Sequence, residues 1–264
     1  MPEGGAVAAD VPVVVTRPRG QAEELCAALR GPGIEVHAVP CLEIVPEPVD
    51  AAMQERARAV RHAEWWIFTS PNAVAWGLPL LPWHDTGRDG PQLAAVGETT
   101  ARALTNHGLG PVLHPGGDAT SEGLLERPEL ARVRGKRVMI ATGVGGRGEI
   151  ARELRARGAE VEELAVYRRH PPAAEELQKA IERLPAAGAR VLVATSAEAL
   201  NAFASVASGR RWLTGATVVC PGERIAAEAR ELGSVPAMSG TPYARDLAET
   251  TRRVAGLAEQ GERR

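Results

Sequence analysis

The sequence predicts an α/β protein with two similar domains, each a parallel sheet flanked by helices, joined by paired linkers. Three observations lead there. Short apolar runs alternate with amphipathic stretches almost throughout, the strand-helix rhythm that places helices on both faces of a parallel sheet. The chain repeats itself at one long offset. Two Pro-containing extended stretches fall at equivalent places in that repeat.

The elements follow in order. VPVVVT (11–16) is the first apolar run, and in GQAEELCAALRGPG the residues Ala22, Leu25, Cys26 and Leu29 fall at i, i+3, i+4 and i+7, making one apolar helix face. Gly31 and Gly33 stop that helix, and Pro32 reinforces the break. VPCLEIVPEP (39–48) is poor in helix formers and reads as the first linker. EWWIFTS, QLAAVG and KRVMIAT are further strands, each followed by a helical pattern that opens on a small or capping residue. VYRRHPP (166–172) is the second linker, and RVLVATS and ATVVCPG supply the last two of these strands.

The repeat is read by aligning the two halves. AAVGETTARALTNHGLGPVLHPGG resembles VVCPGERIAAEARELGSVPAMSGT, with Gly97 on Gly222 and Gly108 on Gly233, both 125 apart (222 − 97, 233 − 108). FTSPNAV resembles ATSAEAL, placing Ser70 against Ser196. TRPRGQAEELCAALRGPGIEVHAVP lines up with ATGVGGRGEIARELRARGAEVEELAVY, Gly33 falling on Gly158. So long a period marks a domain duplication rather than a solenoid. If the first strand and helix pack with the C-terminal unit, residues 11–38 with 173–260 form a discontinuous domain and residues 49–165 the other. Linkers 39–48 and 166–172 then lie side by side as a double hinge. Two domains in simple tandem are the alternative.

Composition narrows the function classes. With 44% hydrophobic residues the 264-residue chain can bury a core, and no run approaches the ~20 apolar residues of a membrane span. The first ten residues lack the basic-then-apolar order of a secretory signal. A net charge of -2 gives no reason to expect nucleic acid as a partner. Cys26, Cys41 and Cys220 are far apart and form no CxxC, which suits core positions in a reducing compartment. A soluble, cytoplasmic protein is expected. None of the six histidines pairs with another at i+3 or i+4 on a predicted helix, so no metal site is expected. GxSxG and GxxxxGK[ST] are both absent from the sequence. Gly143, Gly145 and Gly148 do satisfy a literal GxGxxG, with Glu163 placed where a dinucleotide fold wants an acid. The matching corner of the first half, TRPRGQ, has a single Gly, which argues against NAD(P).

The stronger signal is chemical likeness among strand-to-helix corners. Thr16-Arg17, Thr69-Ser70, Gly97 to Thr100, Thr142-Gly143, Thr195-Ser196 and Gly222-Glu223 all fall at C-terminal ends of predicted strands. That edge is where open parallel sheets bind ligands, and helix N-termini there attract anions. The plainer reading of these hydroxyls is helix capping. Tyr167, one of two tyrosines, lies in the second linker beside Arg168 and Arg169. It is either a packed aromatic or a phenol that donates a proton in the cleft between the domains.

TRP with its QA..L...L...G helix, FTSPNAV, AVGETTARAL, TSEGLL, GGRGEIARELRARGAEV, VYRR and ATSAEAL, in that order from Val11 to about Ala258, resemble the uroporphyrinogen-III synthase family. The resemblance implies two α/β domains on a two-stranded linker, with the N-terminal strand and helix in the C-terminal domain. It implies a monomer without metal or organic cofactor, in transient contact with hydroxymethylbilane synthase. The implied reaction closes hydroxymethylbilane, a linear tetrapyrrole octacarboxylate, with loss of water. An azafulvene cation forms on ring A, ring D attacks through its substituted carbon, and a spiro intermediate fragments and re-closes with ring D inverted. Tyr167 is then the acid for hydroxyl departure. Substrate contacts are implied from Thr16 and Arg17, from Ser70 and Asn72, and from Gly97, Thr99 and Thr100. Gly146, Arg147, Ser196 and Gly222 complete the implied set. One departure stands out: Glu223, Arg224 and Ile225 follow Gly222 where a Thr pair is common in the family. A two-domain anion-binding protein and a relative without cyclase activity are the competing readings.

Overall fold

The computed structural model describes residues 10–83, 90–116, 120–146, 148–185 and 190–256. Its chain divides into two compact units, Met1–Glu43 with His170–Arg264, and Ile44–Arg169. Both divisions fall inside the stretches read as linkers.

The first unit opens with β1 (Val11–Val15), α1 (Arg19–Leu29) and β2 (Ile34–Ala38). The buried residues of α1 are Ala22, Leu25, Cys26 and Leu29, the face read from periodicity. The chain then enters the second unit through β3 (Glu43–Pro46), α2 (Ala51–Ala59), β4 (Trp65–Phe68), α3 (Pro71–Gly77), β5 (Gln92–Ala95), α4 (Glu98–Asn106) and β6 (Val112–Leu113). It continues through α5 (Ser121–Leu125), β7 (Arg137–Gly143), α6 (Glu149–Ala156) and β8 (Glu160–His170). After β8 it returns to the first unit with α7 (Ala174–Glu182), β9 (Val191–Val193), α8 (Ala197–Ser205) and α9 (Ala207–Leu213). The last elements are β10 (Thr217–Cys220), α10 (Glu223–Glu231), β11 (Val235–Met238) and α11 (Ala244–Val254).

The first sheet runs β11-β10-β9-β1-β2 and the second β3-β8-β7-β4-β5-β6. Every pair among β1, β2, β9, β10 and β11 is parallel, as is every pair among β4 to β8. Apart from β3, the two orders are one topology with the chain entering at different points. β1-β2 corresponds to β7-β8, and β9-β10-β11 to β4-β5-β6. The registers agree with the repeat offset: Val13 pairs Val36 and Val138 pairs Val161. Duplication explains this, since a doubly wound sheet is closed by the same crossovers wherever the chain is cut.

Each sheet is covered on both faces. Val14 and Leu192 face one core with Phe203 and Trp212, while Val13, Val15 and Leu25 face the other with Leu247. In the second unit Trp66, Phe68 and Met139 lie on one side, and Trp65, Ile67 and Ile140 on the other. That two-sided burial is why these strands read as unbroken apolar runs.

The linker stretches belong to the cores more than their extended character suggested. Val39, Cys41 and Leu42 are buried in the first unit, and Val166 and Tyr167 in the second. Burial pushes the Cys41 thiol up to about 12, and all three cysteines are free and buried, as expected of packing residues. Among the described residues no helix is long and apolar enough to cross a membrane.

Candidate active site

In both units the strand order reverses between two neighbouring parallel strands, and ligands of open α/β sheets lodge at the carboxyl ends of such strands. In the second unit that point lies between β7 and β4. A cleft of about 420 Å³ opens there, lined by Thr69 and Ser70 after β4, Thr142 and Gly143 at the end of β7, Gly146 after it, and Tyr167 on β8. A larger cavity of about 810 Å³ lies at the opposite edge, lined by Trp65, Lys136 and Arg137 where β4 and β7 begin. It faces away from the N-termini of α3 and α6, so the smaller cleft is the better candidate for anion or acid-base chemistry.

The centre of the cleft is a hydroxyl pair. Ser70 Oγ and Tyr167 Oη lie 3.1 Å apart. Ser70 is the N-cap of α3, and its Oγ accepts the Ala73 N–H at 3.1 Å, satisfying one of the donors a helix start leaves free. Tyr167 is only 5% exposed, its ring embedded in the core with Phe68 and Val166.

Gly143 makes that pairing geometrically possible. The strands run β8-β7-β4, so the phenol on β8 must cross β7 to meet Ser70. Two strand spacings come to about 9.6 Å, within reach of a tyrosine only if nothing rises between. Gly143 is the partner of Tyr167 across a register shift after Thr142. A Cβ there would lie 2.6 Å from the ring Cζ and 2.9 Å from Oη. The Val144 N–H, donating to the Tyr167 carbonyl at 2.8 Å, holds the two backbones together at this point. The GxGxxG match therefore has a local explanation. Gly143 clears the phenol, while Gly145 (φ 73°) and Gly148 (φ 62°) take left-handed conformations in the turn before α6. The sequence offers Gly143 as a corner with Thr142 and as part of a nucleotide motif, and its alignment with Tyr167 follows from strand register alone.

The other expected residues divide. Gly146 lines the cleft, its amide donating to the Gly143 carbonyl at 3.2 Å, and a Cβ on it would come within 2.9 Å of Thr142 Oγ1. Asn72, Gly97, Thr99 and Thr100 belong to the helix starts of α3 and α4 but do not line the cleft. Gly97 caps α4 by backbone, and Thr99 is exposed. Thr100 is 4% exposed, on the face of α4 that buries Ala101 and Leu104. Arg147 lies outside the described residues. Among the described residues the remaining lining is acidic in balance. Glu122, Glu149 and Glu163 stand against Arg169. Glu163 is paired with Arg155 at 3.1 Å, whereas Glu149 Oε2 is buried without a hydrogen bond.

The corresponding corners of the first unit are built differently. Thr16 is fully buried and its Oγ1 donates to the Val193 carbonyl at 3.1 Å. Side chains alternate along β1, which turns Thr16 into the same side as Val14. The Arg17 guanidinium donates to the Pro242 carbonyl. Burial lowers its pKa from the ordinary value, partly offset by Glu24, yet a guanidinium stays charged. Ser196 caps α8, accepting the Ala199 N–H at 3.1 Å, as Ser70 caps α3. No phenol joins it, because the repeat partner of Tyr167 (167 − 125) is the buried, apolar Leu42. Gly222 caps α10 by backbone. Glu223 after it bonds Arg230 at 2.6 Å, and that hydrogen bond holds its carboxyl below the usual range. Ser196→Ala should lower stability by about 0.5–2 kcal/mol, read as the midpoint of urea unfolding, with Ser196→Asp restoring it. An unshifted midpoint would show that the cap contributes nothing.

Comparison with known proteins agrees with this architecture. The family model described as uroporphyrinogen-III synthase HemD matches residues 23–249. The uroporphyrinogen-III synthase of Escherichia coli K12 is 34% identical over 84% of this chain and 91% of its own length. The chloroplastic enzyme of that name from Oryza sativa is 32% identical, over 84% of this chain and 72% of its own. Two solved structures share the fold. The uroporphyrinogen-III synthetase of Helicobacter pylori 26695 has a TM-score of 0.60 at 15% identity, covering 92% of this chain and 99% of that one. A mutant synthase from Thermus thermophilus has 0.58 at 22%, covering 94% and 100%. A match over most of the chain, joined to a doubly wound fold in both halves, leaves one assignment: the chain belongs to the uroporphyrinogen-III synthase family.

Proposed function

We propose that this chain closes hydroxymethylbilane to uroporphyrinogen III, a cyclising hydro-lyase reaction, with Tyr167 as the acid. The observation that carries the assignment of the acid is the Ser70–Tyr167 pair in a cleft at the strand-order reversal of the second sheet. The ring A C–O bond breaks with its electron pair going to oxygen, the phenol supplies the proton, and water leaves. The pyrrole nitrogen fills the vacancy, and the positive charge of the azafulvene develops beside an acidic rim. Fixed carboxylates such as that of Glu149 stabilise such a charge in a partly dry site. Ring D then closes through its substituted carbon, and fragmentation and re-closure invert it. The proton lost as the last pyrrole regains aromaticity restores the phenol.

Because the substrate closes unaided to the wrong isomer, folding it so that inversion competes is most of the task. The described rim, with Glu122, Glu149 and Glu163 against Arg169, is by itself a poor seat for eight carboxylates. These suit backbone N–H groups at helix starts, those after Gly97, Ser196 and Gly222 among them, together with Arg17 and Arg147. Asn72 and Thr99, at the starts of α3 and α4, and the Gly146 turn complete the contacts. Thr16 and Thr100 are left out because their side chains are buried. The two domains of this reading are residues 11–38 with 173–260, and residues 49–165, supported by the division into two units. Free buried cysteines suit a reducing cytoplasm, and a monomer in transient contact with the enzyme that makes its unstable substrate completes the proposal.

The test is an isomer assay. Freshly generated hydroxymethylbilane, incubated with the protein and a chelator, should give mainly the type III porphyrinogen on separation of the oxidised products. Only type I product from folded protein would remove the cyclase reading and leave an inactive relative or an anion-binding protein.

A further inference from the structure

We infer that Ser70 is a positioning residue that sets the direction of the Tyr167 phenol proton, a role beyond capping α3 and distinct from touching substrate. The inference rests on the reading of Tyr167 as the acid. A serine hydroxyl has one proton to donate and two lone pairs. One lone pair is committed to the Ala73 N–H at 3.1 Å. The proton and the other lone pair remain, so the 3.1 Å contact with Tyr167 Oη admits either direction. Accepting an N–H bond at a helix start polarises the Ser70 hydroxyl and strengthens it as a donor, which favours the direction from Ser70 to Oη. With the Ser70 hydroxyl donating to Oη, the phenol proton points away from Ser70 and is free for a ligand. In the reverse direction the same proton is tied up on Ser70 and cannot be given away.

The arrangement also suits the moment after transfer. The phenolate left behind keeps the Ser70 hydroxyl as a donor, and hydrogen bonds to an ionised oxygen are about twice as strong as neutral ones. Gly143 supplies the third element, because the ring passes where a Cβ on that residue would stand and so reaches Ser70. Ser196 supplies an internal control. It caps α8 with the same 3.1 Å bond, yet its repeat offers Leu42 where a phenol would be needed. A cap alone therefore has one serine's worth of consequences at Ser196, and a cap that also orders a phenol has two at Ser70.

The test is a set of Ser70 variants made with and without Tyr167→Phe, scored by turnover of hydroxymethylbilane, isomer ratio and melting temperature. Ser70→Ala should lower kcat by about 2- to 10-fold, the loss of one ordinary hydrogen bond, with KM unchanged. In the Tyr167→Phe background it should lower kcat no further. Ser70→Thr, which keeps both the cap and the donor, should restore the rate. Ser70→Asp is the discriminating variant. It caps the helix and holds the melting temperature, but a carboxylate only accepts, so it should draw the phenol proton to itself and slow turnover at least as much as Ser70→Ala. An equal loss from Ser70→Ala in both backgrounds, or full activity of Ser70→Asp, would overturn the inference while leaving Tyr167 as the acid. Full activity of Tyr167→Phe itself would remove the acid reading and this inference together.

Discussion

Tyr167→Phe should slow ring closure by up to about 100-fold, the low end of what general-acid assistance contributes, and should lower the type III to type I ratio. The ceiling is low because hydroxyl departure from this substrate already proceeds unaided. The substitution keeps the ring in its packing against Phe68 and Val166 and removes only Oη, so the melting temperature should change little. Loss of the 3.1 Å bond leaves Ser70 still bonded to the Ala73 N–H, and its freed proton has the cleft to turn into. A Phe substitution that keeps full rate and ratio would return Tyr167 to the role of a packed aromatic. Catalysis would then depend on substrate folding by backbone donors.

The second large effect is expected at a residue with no chemistry of its own. Gly143→Ala places a methyl 2.6 Å from Tyr167 Cζ and 2.8 Å from Cε2, closer than carbon atoms approach without something moving. Backbone on β7 and β8 is pinned by pairing on both sides, so the ring is what must give. Overpacking of this kind costs about 1–3 kcal/mol, a fall in melting temperature of a few degrees for a chain of this size. The displaced phenol also loses its line to Ser70, and misplacement by about 1 Å can remove 100-fold in rate. Activity should therefore fall at least as far as in Tyr167→Phe, and adding Tyr167→Phe to Gly143→Ala should change the rate little. Wild-type turnover and melting in Gly143→Ala would mean that the phenol does not need this passage.

Some candidate residues stood out along the chain, and others looked alike there but differ in the structure. Tyr167 was conspicuous through rarity and its arginine neighbours, and Ser70 and Ser196 through their place before a helical pattern. Thr16 and Thr100 looked like corner hydroxyls of the same kind. The structure buries both because each obeys a periodicity stronger than its corner: Thr16 continues the alternation of β1, and Thr100 lies one helical turn before the core residue Leu104. Counting i to i+4 along AVGETTARAL contains that warning for Thr100. For Gly143 no linear count helps, since the sequence offers it as a strand-end corner with Thr142 and as one of three spaced glycines whose pattern fits a nucleotide loop, and neither points to Tyr167.

What the sequence by itself determined is everything that depends on near neighbours and on repetition. Apolar runs covered on both faces became parallel strands, the Ala22 to Leu29 stripe became the buried side of α1, and the 125-residue offset became two sheets of one topology. These follow from local periodicity and from burying apolar surface, which each segment records in its own composition. Only the tertiary structure decided that a phenol and a hydroxyl 97 positions apart would share a hydrogen bond. That contact depends on β7 being inserted between β4 and β8, and on a one-residue irregularity after Thr142 that brings Gly143 opposite Tyr167. Strand order and register are properties of the assembled sheet, fixed by which apolar faces pack together, and no single segment carries them.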